Sequence, residues 1–162
     1  MSKRRVRTIS KRTKYGLQAL FALARRYGQG PVLIATLAKE EDIPLKFLES
    51  ILLELKSRDV VESKRGPRGG YRLSKPPSTI TVGAIVRLLE GPLAPLPCAS
   101  ETAYRACDDC ADVEHCGTRM VMRQVRDAIA GVLDRTTLEH VVRQVGSAKE
   151  KKLQQEALMY YI

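Results

Sequence analysis

The chain of 162 residues contains no tryptophan, two phenylalanines and two histidines. With only 5% aromatic residues it is poorly equipped to stack single-stranded bases on rings. No run approaches the roughly 18 apolar residues of a membrane span, and the basic start lacks the apolar stretch of a secretory signal, so we expect a cytoplasmic protein with no membrane partner. Cysteine occurs four times, always between residues 98 and 116. In a reducing compartment such confinement points to metal or redox chemistry before structural disulfides. The length suits one core of ordinary size or two small ones sharing a surface.

Charge is abundant but unevenly placed. The formal net charge is +10. Residues 1–15 carry seven basic side chains and no acid, and residues 56–75 carry seven against Asp59 and Glu62. The other 127 residues sum to −2. Two local cationic patches on a slightly acidic body favour a polyanion as partner.

Apolar spacing predicts a helix over 10–27 from Leu17, Leu20, Ala24 and Tyr27, with Thr8 or Ser10 as cap and Gly28 as stop. A short helix with Ile34, Leu37 and Ala38 ends in an acidic turn over 39–42. Pro44 then opens another helix with Leu45, Leu48, Leu52 and Leu55 on its inner face. Two helices so closely spaced predict a helix-turn-helix. With those leucines inward, Lys46, Phe47, Glu49 and Ser50 point outward. Residues 63–70 read Ser-Lys-Arg-Gly-Pro-Arg-Gly-Gly, a turn between two short strands and hence a hairpin with a cationic tip. A helix fits the major groove while a cationic loop follows the phosphates beside it; double-stranded DNA is therefore the expected partner, against the plainer alternative of a helical bundle with a charged turn.

Thr81 is placed to cap a helix carrying Val82, Ile85, Val86 and Leu89, closed by Gly91. Prolines 92, 95 and 97 then form an extended connector. From 118 to about 133 a long helix shows Val121, Val125, Ala128 and Val132 on one stripe, with Met122 and Ile129 on a second; two stripes call for two packing partners. Thr136 or Thr137 would cap a short helix through Val145, and the polar tail from 147 is expected to be frayed or only partly helical. The expected organisation is a DNA-binding region over 1–91, a connector and cysteine loop over 92–117, a long helix with a following short one over 118–146, and a tail over 147–162.

The cysteines are spaced Cys98-x8-Cys107-x2-Cys110-x5-Cys116. Four thiolates in one loop make a complete shell for an iron-sulfur cluster or zinc; free or disulfide-forming thiols are the remaining alternative. His115 is a spare ligand at most. A thiol enzyme built on Cys107 and Cys110, or on Cys116 and His115, is not expected, because Glu101, Asp108, Asp109, Asp112 and Glu114 oppose only Arg105 and such negative charge raises a cysteine pKa.

These residues also resemble a family. Lys14-Tyr15, Pro31-Val32, residues 44–48, the wing Arg-Gly-Pro-Arg-Gly-Gly-Tyr-Arg-Leu over 65–73, Pro76, Ile80, Glu90-Gly91 and Cys98 are similar to the Rrf-two family of bacterial winged-helix regulators, over about residues 8–145. Members of that family sense iron-sulfur status, nitric oxide or cysteine supply. The resemblance implies a mainly α fold, a winged helix-turn-helix with a small β-hairpin wing, joined as a homodimer by the long helix after the cysteine loop and reading a palindromic operator. It implies DNA contacts from Lys46, Phe47, Glu49 and Ser50 on the recognition helix, from Arg65, Gly66 and Arg68 in the wing, and from Lys14 and Tyr71 in the same motif. It also implies an iron-sulfur cluster, 2Fe-2S ahead of 4Fe-4S, with Cys98 as first ligand, Cys107 or Cys110 as second and Cys116 as third. Arg119 stands where the iron-sulfur regulator has its histidine, so ligation by all four cysteines, or by three and a residue of the partner chain, is the expectation. Zinc is the alternative metal.

Overall fold

A computed structural model describes residues 9–66, 69–108, 110 and 112–159. Helix α1 spans Lys11–Arg25; Ser10 caps it, its hydroxyl accepting from the Thr13 amide. Tyr27 lies past its end and is exposed. Helix α2 spans Ile34–Glu40 and α3 spans Leu45–Ser57. Neither α2 nor α3 ends on glycine. Asp42 and Asp59 adopt left-handed backbone with φ of 51° and 54°, and the following amides of Ile43 and Val60 donate back to Ala38 and Leu55 at 2.9 and 3.0 Å. Both helices thus stop in a Schellman motif, and a short polar side chain tolerates the conformation that usually selects glycine.

Strands β1 (Val61–Lys64) and β2 (Gly70–Leu73) pair antiparallel, Val61 opposite Leu73 and Lys64 opposite Gly70. Val61 and Leu73 point into the core and the Glu62 and Arg72 pair points out, the two-residue alternation expected of a half-buried ribbon. Val32 exchanges both backbone hydrogen bonds with Tyr71 at 2.8 Å, so the segment entering α2 is a third stub of this sheet.

Helix α4 (Val82–Glu90) is capped by Thr81, and α5 (Gly117–Leu133) follows the cysteine loop. One continuous core takes Ala19, Leu20 and Leu23 from α1, Leu37 from α2, and Leu48, Ile51, Leu52 and Leu55 from α3. Val61, Leu73, Ile85 and Leu138 complete it. Helix α6 spans Leu138–Met159 and is not the short helix expected. Its fully buried Leu138 and partly buried Val142 dock on that core, and the Lys, Glu, Gln and Ala residues beyond are strong helix formers that propagate an already anchored first turn.

Candidate nucleic-acid interface and cysteine loop

In α3, Leu48, Ile51, Leu52 and Leu55 are buried at i, i+3, i+4 and i+7, which turns Lys46, Phe47, Glu49 and Ser50 to the surface. Leu45, expected on the inner face, is 43% exposed. As first residue of the helix after Pro44 it lies at the turn, beyond the reach of the core. Leu53 was not anticipated; at 60% exposure it shares the outer face with Lys46 and Ser50, one turn on. Phe47 is held edge-on by Tyr15 of α1, ring centroids 5.7 Å apart at 85°. Lys14, its neighbour in sequence, is exposed. The Ser50 hydroxyl donates to the Phe47 carbonyl at 2.9 Å.

The wing is built close to its neighbours. Gly70 has φ +140°, and a Cβ there would strike the Val32 carbonyl; one on Gly69 would strike the Lys64 and Gly66 carbonyls. The Gly69 amide closes the turn by donating to Gly66 at 2.8 Å. Arg65 and Gly66 are exposed beside it, Tyr71 is half-buried in the sheet, and Arg68 lies outside the described residues. Two cations of the expected patches have carboxylate partners, Arg72 with Glu62 and Arg12 with Glu54, as do Arg25 with Glu41 and Arg26 with Glu40 at the end of α1. Lys14, Lys46, Lys64 and Arg65 are exposed, with no ion pair to a carboxylate among the described residues.

Glu90, at the end of α4, accepts from the hydroxyls of Ser10 and Thr13 at 2.6 and 2.5 Å. These hydrogen bonds hold its carboxyl below the usual carboxylate range. They also give the fully buried Thr13 hydroxyl its partner.

The cysteines lie between α4 and α5. Cys98 is buried in a 3-10 turn, Pro97–Ala99; Cys107 is exposed, and Cys110 and Cys116 are half-buried. The thiols lie close enough to influence one another's titration. The hydrogen bond with Cys98, and the neighbouring thiols after it, push Cys107 up; burial and then Cys116 push Cys110 up. Cys116 moves the other way, because as N-cap of α5 it faces the Arg119 and Thr118 amides. The expectation that carboxylates would raise every thiol is corrected here: thiol contacts and partial burial raise two, and a helix N-terminus lowers the third. The donor set suits an iron-sulfur cluster or zinc in kind. Among the described residues, however, no three His, Cys, Asp or Glu side chains converge as a metal site. His115 bonds Asp112 at 2.8 Å instead.

A helix-turn-helix backed by a two-stranded hairpin wing and bearing exposed cations defines a winged-helix DNA-binding regulator. The chain belongs to the Rrf2 family, whose model, described as iron-dependent transcriptional regulator, matches residues 9–144. It is 41% identical over 137 residues to an rrf2-like HTH-type transcriptional regulator of Rhodobacter capsulatus, covering 83% of this chain and 91% of that one. The solved structure of CymR, the global cysteine regulator of B. subtilis, superimposes with a TM-score of 0.71 at 32% identity, over 86% of this chain and 98% of that one. That of T. potens IscR gives 0.70 at 30% identity, over 87% and 90%. No helix among the described residues is long and apolar enough to cross a membrane.

Proposed function

We propose that this regulator is a cytoplasmic homodimer that reads a palindromic operator and whose affinity is set by an iron-sulfur cluster at Cys98, Cys107, Cys110 and Cys116, 2Fe-2S ahead of 4Fe-4S. It acts by binding, without catalysis. The observation that supports the sensor is the gathering of all four cysteines between α4 and α5, close enough to influence one another, with Cys116, the N-cap of α5, drawn toward thiolate by the helix amides. These cysteines would hold a cluster, and its loss would release them.

For DNA, Lys46, Phe47, Glu49 and Ser50 of α3 face the major groove. Arg65, Gly66 and Arg68 with Lys14 follow phosphates, and Tyr71 fixes the wing to the segment entering α2. The dimer face is α5: Met120, Val121, Val125, Ile129 and Val132 are exposed along it, an apolar stripe that a second copy would cover.

Protein purified without oxygen is assayed by visible spectrum, iron and acid-labile sulfide. The proposal expects a coloured protein with iron and sulfide in equal amounts. Serine at Cys98 or Cys116 abolishes both, whereas serine at Cys107 or Cys110 alone leaves a weaker site. One zinc per chain with no sulfide would replace the cluster by a structural metal, and neither metal would leave the site as free thiols.

A further inference from the structure

Arg126 is the only charged residue that is buried among the described residues, 8% exposed in the middle of α5. Its Nη1 donates to the Ala99 carbonyl at 2.7 Å, and its other nitrogens meet Asp127 at 2.5 and 2.8 Å and Glu101 at 3.1 Å. Two turns earlier on the same helix face, Arg119 donates from Nε to the Cys98 carbonyl at 3.0 Å and from Nη1 to Val113 at 3.3 Å. Its guanidinium lies 5.7 Å from the Tyr104 ring centroid. Both choices run against local preference. A cation in the first turn of a helix opposes the macrodipole by about 0.3–1 kcal/mol, and an apolar side chain at 126 would avoid the desolvation of a buried guanidinium. What the two share is that each grips the backbone of the turn carrying Cys98.

We propose that Arg119 and Arg126 are the positioning residues through which α5 follows the state of Cys98. The inference rests on the reading of the cysteine loop as a sensor. Cys98 is buried in this turn, and its carbonyl and that of Ala99 are tied to α5, so a change at the sulfur that moves the turn pulls the start of the helix. The far end of α5 is fixed. Asp134 accepts two bonds from Arg87 of α4 at 2.5 and 2.8 Å, the Val82 amide bonds Thr136 at 2.8 Å, and the Leu138 amide bonds Ile80 at 3.0 Å. A helix pulled at one end and anchored to the reading head at the other turns its opposite, apolar face.

The test uses full-length Arg119→Gln and Arg126→Met, with a palindromic duplex selected by the wild-type protein from a random pool. Operator affinity is measured for cluster-loaded and chelator-stripped protein, alongside iron content and amide exchange over 117–133. In the wild type the two states should differ in affinity by about fivefold or more. In each variant iron content and one-state binding persist, the ratio falls to within about twofold of unity, and exchange along α5 no longer depends on loading. Arg119, partly exposed, serves if Arg126→Met does not fold. Variants that load iron and keep the wild-type ratio overturn the coupling alone. A wild type that takes up no iron, or binds DNA equally in both states, overturns the sensor and the coupling with it.

Discussion

Glu90 joins the end of one helix to the start of another through two hydroxyls and no cation. Because its folded pKa is depressed, it stabilises the protein fully above the usual carboxylate range, and that contribution disappears as pH falls through the lower folded value. Denaturant midpoints between about pH 6 and pH 3 should therefore fall more steeply for the wild type than for Glu90→Gln; parallel curves would show that the contact contributes nothing. The Glu90-Gly91 pair was visible in the sequence, but its partners lie about eighty residues away and could not be read. Lys46, Phe47, Glu49 and Ser50 were legible because helical period alone turns them away from Leu48 and Leu52. Leu45 was misplaced because the same period was carried one residue into the helix start. Gly70→Ala would put a methyl group against the Val32 carbonyl in a backbone conformation that L residues rarely adopt. It should cost about 1–3 kcal/mol and weaken DNA binding, checked by thermal unfolding and a binding isotherm.

Among the elements, α5 and α6 depart most from expectation. Ile129, assigned to the second stripe of α5, is exposed with Val121, Val125 and Val132. The partner of the inner face is largely polar, a pair of arginines meeting carbonyls. Backbone acceptors leave no trace in a sequence pattern, so that contact was illegible however the residues were counted. Val125→Asp places a carboxylate in the proposed dimer face and should shift sedimentation from dimer to monomer; a variant that stays dimeric moves the interface elsewhere. For α6, the missing apolar stripe beyond 147 suggested fraying, yet the helix is set by its docked first turn. Leu138→Ala should then destabilise the DNA-binding head itself, by about 2–5 kcal/mol, measured as a single cooperative unfolding transition.

At the scale of the whole molecule, the cations without carboxylate partners decide the salt response. If a dimer neutralises roughly 6–10 phosphates, affinity for the selected duplex should fall by about 10³–10⁵ between 50 and 200 mM salt. Arg65→Ala should reduce that slope, and Arg72→Ala, which removes a cation already paired with Glu62, should change it little. Two heads fixed by one dimer meet successive grooves on one face of the duplex, so footprints should show half-sites about 34–36 Å apart or a multiple of a helical turn. A flat salt curve would remove DNA phosphates from the account.

The backbone exchange between Val32 and Tyr71 bears on how such regulators can be rewired. It stitches the lead-in to α2 onto β2, while Phe47 leans on Tyr15. With α3 as the proposed recognition helix, a graft of that helix alone into a related scaffold would arrive without the Tyr15 contact and the sheet bonds beside it. We expect the stretch 31–73, with a matching aromatic at position 15, to transfer as a unit. Chimeras cut inside it should fold but read DNA poorly, whereas chimeras cut at its borders should carry the donor's operator preference with them.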